Sequence, residues 1–153
     1  MTKIERGTPV LVPGGLAVDD RGTVSFANDF HPGAFKRFYV LENFATTTIR
    51  AFHGHLKEEK AFFAVAGSAI VAAAPMDDVR APSKDVEVQR YVLSARKPAV
   101  LRIPAGYANG FRALEPGTRI FVFSSGTMED AAGDDYRFPA DYWAPGIWNV
   151  EDR

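Results

Sequence analysis

The sequence has 153 residues, 46% of them hydrophobic and 24% charged. These proportions are typical of a globular protein rather than a disordered tail, and the length predicts one domain over residues 1–153. The formal net charge is −1, without a long run of lysine and arginine, so we expect no nucleic-acid partner. Cysteine is absent, which excludes disulfides and thiolate metal sites. Together with the lack of a signal-peptide pattern and of a bilayer-length apolar run, this predicts a cytoplasmic protein without membrane association.

Short segments rich in β-branched and aromatic residues recur along the chain and predict strands. Gly/Pro/Asp-rich turns such as DDRG, HPG, PMDD and EPGT separate them. Strands are predicted within residues 37–44, 61–74, 86–94, 99–104 and 119–125, and one helical turn within residues 127–138. Because no window shows a sustained helical period, the pattern favours an all-β sandwich or barrel.

The segment IRAFHGH, residues 49–55, places two histidines two residues apart. Residues i and i+2 of a strand point to the same side of the sheet, so His53 and His55 are expected to project together. Lys60 follows five residues after the second histidine. Such a pair could ligate a metal, transfer protons, or simply be solvated on a polar face.

The surroundings of the pair resemble the cupin family of double-sheet jelly rolls. The metal-binding pattern of that family reads H-x-H, four residues, Glu, six residues, Gly, and later P-x-G-x-x-H. Here Lys60 stands at the position of the carboxylate, Gly67 matches the glycine, and Asn109 of PAGYAN replaces the last histidine. Glu58 or Glu59 could substitute for the carboxylate ligand, although both lie out of register by one or two residues. An ammonium group at a ligand position repels a divalent cation. We therefore expect no metal ligands and no cofactor.

Cupins that work without metal and carry a lysine at this position act on nucleotide-linked 4-keto sugars, and the chain resembles this branch over most of its length. DDRGTVSFANDF, FKRFYVLENF and RAFHGH are similar to segments of the sugar 3,4-ketoisomerases. RIPAGYANGF and PGIWNVED are similar to segments of the dTDP-4-dehydrorhamnose 3,5-epimerases. This resemblance to the RmlC-like family implies an all-β cupin double-stranded β-helix, or jelly roll, and an isomerase whose substrate partner is a nucleotide sugar.

Both reactions begin when a base removes a proton next to a ketone, and a histidine can take that proton near neutral pH. His53 is the expected base because it aligns with the histidine that both enzyme groups share, whereas His55 aligns only with the ketoisomerases. Lys60 and Arg50 are the expected cations that stabilise the enolate oxygen.

The remaining predicted site residues supply the acid and hold the substrate. Tyr39 or Tyr107 is expected to act as the acid on the opposite face of the sugar, and Glu151 or Asp152 could orient the catalytic imidazole. Arginine suits the pyrophosphate because it makes bidentate contacts. The predicted substrate-binding residues are Arg37, Arg50, Arg102, Arg119 and Asn109, although Arg102 and Arg119 could be surface charges and Asn109 a turn residue.

Two other functions remain open. Asn109, and the lack of a tyrosine in RIFVFSS where the epimerases have their proton donor, favour a sugar-nucleotide-binding protein without catalysis. A metal-dependent cupin enzyme would instead use His53, His55 and Glu59. In either case we expect a homodimer, to which Trp143 and Trp148 of the last seventeen residues would offer apolar area. That tail could also pack on the body of its own chain.

Overall fold

The computed structural model describes residues 3–153. These residues form twelve strands and one short helix. The strands are β1 (Val10–Pro13), β2 (Gly15–Asp19), β3 (Gly22–Phe26), β4 (Arg37–Leu41), β5 (Ile49–His55), β6 (Lys60–Ala66), β7 (Ser68–Pro75), β8 (Gln89–Ser94), β9 (Ala99–Ile103), β10 (Tyr107–Ala113), β11 (Arg119–Ser124) and β12 (Tyr136–Arg137), and the helix is α1 (Met128–Ala132).

The strands build two five-stranded antiparallel sheets that pack face to face. The first sheet has the order β1-β9-β6-β11-β4 and the second has the order β12-β5-β10-β7-β8, while β2 and β3 pair only with each other. The chain passes repeatedly from one sheet to the other, which is the jelly-roll arrangement of a cupin. The predicted all-β fold is therefore confirmed, each predicted strand segment contains a strand, and the predicted helical turn is α1.

The inner core lies between the two sheets and is made by side chains that alternate inward along the strands. Between β6 and β7 the chain turns at Gly67, whose φ of +71° is a left-handed conformation that glycine adopts without steric cost. The buried inner cluster comprises Phe62, Ala64, Ala69, Val71, Ala73, Leu93, Leu101, Ile103, Tyr107, Phe111, Ile120 and Val122.

The outer face of the second sheet is covered by the C-terminal segment of the same chain. Trp143 is fully buried, and its ring meets Phe52 edge to face at 5.0 Å between centroids. Trp148 lies 5.5 Å from the other side of Phe52, and its indole N–H donates to the carbonyl of Ala140. Both tryptophans are thus used within their own chain. The prediction that they supply the surface of a dimer is wrong, and the expectation that the tail packs on the body is confirmed.

The outer face of the first sheet remains open to solvent and is apolar. Phe38 on β4 is 60% exposed, and Val40 and Val65 on the same sheet are also exposed. Phe38 stacks on Phe121 of the neighbouring β11 with centroids 4.9 Å apart. Within residues 3–153, no helix is long and apolar enough to cross a membrane.

Candidate active site

A cavity of about 490 Å³ opens between the two sheets at one end of the barrel. Its lining combines apolar side chains with six of the titratable groups predicted for catalysis or substrate binding. The lining residues come from β4, β5, β6, β10, α1 and the loops beside them, and they are Arg37, Tyr39, Leu41, Arg50, His53, His55, Glu58, Lys60, Phe62, Asn109, Gly110, Phe111, Met128, Ala131, Ala132 and Asp135.

The histidine pair faces the cavity from β5. His53 and His55 both line it. Gly54 between them faces the buried cluster that includes Phe52, Met76 and Trp143, where an added Cβ would lie 2.5 Å from the sulfur of Met76. The alternation expected of a strand therefore holds, and the prediction that the two imidazoles project together is confirmed. Lys60 lines the same cavity.

His55 is held by the segment that follows α1. Its Nδ1 lies 2.6 Å from the backbone carbonyl oxygen of Asp134. Because a carbonyl oxygen can only accept, Nδ1 carries a proton in this contact. The Asp134 carboxylate accepts hydrogen bonds from the backbone N–H groups of Leu56, Lys57 and Glu58. These bonds fix the turn that leads from the histidine strand to β6.

His53 lies next to a carboxylate at the cavity wall. Its Nδ1 is 3.8 Å from Oδ1 of Asp135, which also accepts a hydrogen bond from Arg137 through its second oxygen. Burial lowers the pKa of His53 below its usual value, and Asp135 opposes that shift only in part. The imidazole is therefore neutral near pH 7 and can accept a proton. Glu151 and Asp152, suggested from the sequence as partners of the imidazole, lie exposed at the C-terminus and do not line the cavity.

Lys60 presents its ammonium group beside a buried carboxylate. The Nζ of Lys60 lies 3.0 Å from Oε2 of Glu58 and donates to Oγ of Ser124 at 3.3 Å. Burial lowers the pKa of Lys60, and the ion pair with Glu58 works against this. The same Nζ lies 5.3 Å from the ring centroid of Tyr39, whose pKa is raised mainly by burial. A cation and a protonated phenol thus stand together on this side of the cavity.

Two arginines and an asparagine complete the polar wall. Arg37 donates through Nε to the carbonyl of Gly126 at 3.1 Å, and Arg50 donates through Nε to Oδ1 of Asn43 at 2.7 Å. The terminal nitrogens of Arg50 are left for other partners, whereas Nη2 of Arg37 also lies 3.9 Å from Oε1 of Glu58. Asn109 lies within β10, directly opposite His53 in the register with β5. The interpretation of Asn109 as a turn residue is therefore wrong.

Three residues predicted for the site lie elsewhere. The guanidinium of Arg102 pairs with Glu59 at 2.8 Å and packs over the ring of Phe35 on the outside of the first sheet. Arg119 is 59% exposed and pairs with Glu42. The hydroxyl of Tyr107 donates to the backbone carbonyl of Gly7. None of the three lines the cavity, so their placement does not support the predicted contacts with pyrophosphate or sugar.

Several residues that the structure brings to the cavity were given no part in the reaction by the sequence analysis, which considered Glu58 only as a substitute metal ligand. Glu58 precedes Lys60 by two residues, and the period of an extended chain would have placed both on one side. Asp135 and the α1 residues Met128, Ala131 and Ala132 carried no local signal. They reach the cavity because β12 pairs with β5, opposite His53 and Gly54.

The donor groups nearest the histidines do not suit a divalent metal. One ligand atom each of His55, Glu58 and Asp134 lies within 4.8 Å of the others. However, the Lys60 ammonium already occupies the side of Glu58 at 3.0 Å, and the Asp134 carboxylate is engaged by three backbone N–H groups. A cation placed there would face an ammonium charge and would break the turn. Glu59, the ligand in the metal-dependent alternative, pairs with Arg102 outside the cavity.

Comparisons with known proteins agree with this arrangement. No protein-family model matches the chain. It is 34% identical over 108 residues to the spore coat polysaccharide biosynthesis protein SpsL of Bacillus subtilis (strain 168), covering 69% of this chain and 70% of SpsL.

Solved structures of two enzyme groups share the fold. A dTDP-4-dehydrorhamnose 3,5-epimerase from Bacillus anthracis str. Ames, with TDP and pyrophosphate bound, matches at a TM-score of 0.67 and 20% identity over 87% of this chain and 79% of that one. The sugar 3,4-ketoisomerase QdtA from Thermoanaerobacterium thermosaccharolyticum, in complex with TDP, matches at a TM-score of 0.66 and 17% identity over 88% and 90%. The extent of its match to SpsL shows that the chain belongs to the same family as SpsL, and the architecture it shares with these two enzymes is that of an RmlC-like cupin.

Proposed function

We propose that the protein is a metal-independent isomerase, either an epimerase or a 3,4-ketoisomerase, acting on a nucleotide-linked 4-keto-6-deoxyhexose. The observation that carries the proposal is one cavity lined by a neutral histidine, an ammonium group and a half-buried phenol. The family relative SpsL is named for polysaccharide biosynthesis. Proteins of the same fold are named as dTDP-sugar epimerases and ketoisomerases, and both names fit proton transfer next to a ketone.

In the proposed reaction, His53 removes the proton from the carbon next to the ketone. The electrons of the broken C–H bond move into the enolate, whose oxygen Lys60 stabilises by charge and hydrogen bonding. The proton on the imidazole must then return, or a second group must supply one. If Tyr39 gives a proton to the opposite face of the same carbon, the product is the epimer. If the enolate oxygen instead gains a proton to give the enediol, the proton is returned to the former carbonyl carbon, and the hydroxyl on the deprotonated carbon loses its proton to become the new keto group.

The substrate would be anchored by the arginines of the cavity wall. Arg50 commits only its Nε to a neutral oxygen of the protein, so its terminal N–H groups can bind the pyrophosphate in bidentate fashion. Arg37, whose Nη2 also faces Glu58 at 3.9 Å, can offer its remaining N–H groups to the same anion. Asn109 offers an amide to the sugar hydroxyls. The absence of cysteine is compatible with a reducing compartment, and we place the activity in the cytoplasm.

We also propose a homodimer, joined through the open outer face of the first sheet instead of the tryptophan segment. The corresponding face of the second sheet is covered by the protein's own tail, whereas the exposed Phe38 and Val40 have no such cover. A second copy of the chain would bury them. In multi-angle light scattering, Phe38→Asp is expected to give a monomer where the wild type gives a dimer. A wild-type monomer at micromolar concentration contradicts this proposal.

The isomerase proposal is tested by incubating the protein with dTDP-4-keto-6-deoxyglucose in deuterated water. Enolisation exchanges the proton next to the ketone, so deuterium is expected in the sugar by proton NMR and mass spectrometry. The activity is expected to survive prolonged dialysis against a chelator. Tight binding of the sugar nucleotide without any exchange would instead support the non-catalytic binding protein. Exchange that a chelator abolishes and a divalent metal restores would support the metal-dependent alternative.

A further inference from the structure

Glu58 is an unusually placed carboxylate within the cavity wall. Its side chain is 2% exposed, and neither of its oxygens accepts a hydrogen bond of regular geometry from residues 3–153. A buried ionised carboxylate without partners is costly, so its charge must be balanced by the cations around it. Glu58 lies in the turn between β5 and β6, where it is not required by the pairing of either strand.

Charged and titratable groups from three strands converge on this carboxylate. The nearest is Nζ of Lys60 on β6, 3.0 Å from Oε2. Nδ1 of His55 on β5 is 3.6 Å from the same oxygen. On the other side, Nη2 of Arg37 on β4 is 3.9 Å from Oε1. Tyr39 of β4 faces the Lys60 ammonium. The acidic neighbour Asp134 is occupied by backbone N–H groups.

The space around Glu58 is closed by backbone. A Cβ added to Gly126 would lie 2.3 Å from Oε1 of Glu58, so a side chain at position 126 would displace the carboxylate. Because Arg37 also donates to the carbonyl of Gly126, the same loop fixes both the carboxylate and one of its cations. The Gly126 loop therefore confines Glu58 on the side of Oε1.

We infer that Glu58 is a positioning residue that keeps Lys60 charged and aimed into the cavity, where the proposed isomerase needs a cation. Without this carboxylate the ammonium would stand in a largely buried site beside Arg37 and Tyr39, with Ser124 as its hydrogen-bond acceptor. Burial and the like charge of Arg37 would then favour the neutral amine. A neutral amine stabilises an enolate oxygen far less than an ammonium does.

The first test follows the charge of Lys60 directly and does not depend on turnover. The side-chain signal of Lys60 is identified by its loss in Lys60→Arg and is titrated by NMR. In Glu58→Gln, which keeps the shape of the side chain, the pKa of Lys60 is expected to fall by at least about one unit, a tenfold change in the protonation equilibrium. In Glu58→Asp the pKa of Lys60 is expected to lie between its values in the wild type and in Glu58→Gln. This variant replaces Glu58→Gln if Glu58→Gln fails to fold. Glu115→Gln, which alters an exposed ion pair with Arg96, is the control.

The second test rests on the proposed function and uses the pH dependence of kcat. Loss of the Lys60 proton produces the alkaline limb, so Glu58→Gln is expected to move that limb to lower pH by the same amount. In a Lys60→Arg background, where the cation does not deprotonate, Glu58→Gln is expected to leave the limb in place. An unchanged Lys60 titration in both Glu58→Gln and Glu58→Asp overturns the inference. A shifted titration in a protein that shows no exchange or turnover upholds the inference and refutes only the isomerase proposal.

Discussion

The assignment of His53 as the base predicts that His53→Asn abolishes solvent exchange into the 4-keto sugar. Asparagine keeps the approximate size and the hydrogen-bonding capacity of the imidazole but cannot take a proton near neutral pH. His53 is suited to this role because burial lowers its pKa, which leaves it neutral at pH 7. His55, whose Nδ1 proton is committed to the Asp134 carbonyl, is expected to act after enolisation. His55→Asn should therefore retain exchange and lose product formation.

The expected loss of exchange rate in His53→Asn follows from the loss of the general base alone. Loss of a positioned base costs about 10²–10⁴-fold in rate, which corresponds to about 2.7–5.4 kcal/mol of barrier at 1.36 kcal/mol per tenfold change. The pH dependence has a defined sign. Since the folded-state pKa of His53 lies below its usual value, the exchange rate is expected to be on its plateau at pH 7. It should fall only as the pH drops below about 6.5, the ordinary value for histidine.

The assay is deuterium incorporation at saturating sugar nucleotide, read by mass spectrometry for both variants. His31→Asn is the matched control because His31 is the third histidine of the chain and lies exposed outside the cavity. Exchange at the wild-type rate in His53→Asn, with the wild-type rate also in His31→Asn, would refute the assignment of the base. That result would instead favour the sugar-nucleotide-binding protein without catalysis.

Three further predictions concern the cation, the anchor and the packing of the site. Lys60→Met is expected to lower kcat about 10²–10³-fold. It should also destabilise the fold by about 3–5 kcal/mol because it leaves the buried carboxylate of Glu58 without its nearest cation. Wild-type stability in urea unfolding would contradict this second expectation. Arg37→Ala is expected to raise the Kd for dTDP, measured by calorimetry, about tenfold or more. Arg96→Ala is the control because Arg96 is exposed and lies outside the cavity, and it should leave the Kd unchanged. Equal affinities of the two variants would exclude Arg37 as an anchor. Phe52→Ala is expected to lower the free energy of unfolding by about 3–5 kcal/mol because Phe52 is fully buried and packs against two tryptophans. Phe44→Ala is the control, and at this fully exposed position the free energy of unfolding should stay within about 0.5 kcal/mol of wild type.

Local patterns were sufficient to predict the strands and the histidine pair. The segments at 61–74 and 119–125 are so rich in apolar and β-branched residues that strands are predicted there whichever strands pair with them. The period of two residues places His53 and His55 on one side of β5 whatever β5 pairs with. Lys60 could be added from the resemblance to the metal-independent cupins. By contrast β10, with Asn109 and Gly110, has little strand propensity of its own and is a strand because β5 and β7 pair with it on both sides.

Tertiary structure alone decided which charges meet at the site. The backbone of Asp134 reaches His55 from 79 residues further along the chain, and this contact exists only because β12 pairs with β5. Whether an arginine on a strand faces the cavity or the outer surface depends on the register and on what covers each face, so Arg37 lines the cavity and Arg102 does not. The tryptophans could not be assigned from sequence for the same reason. An apolar side chain can be buried equally well by its own sheet or by a partner, and only the path of the chain selects between them.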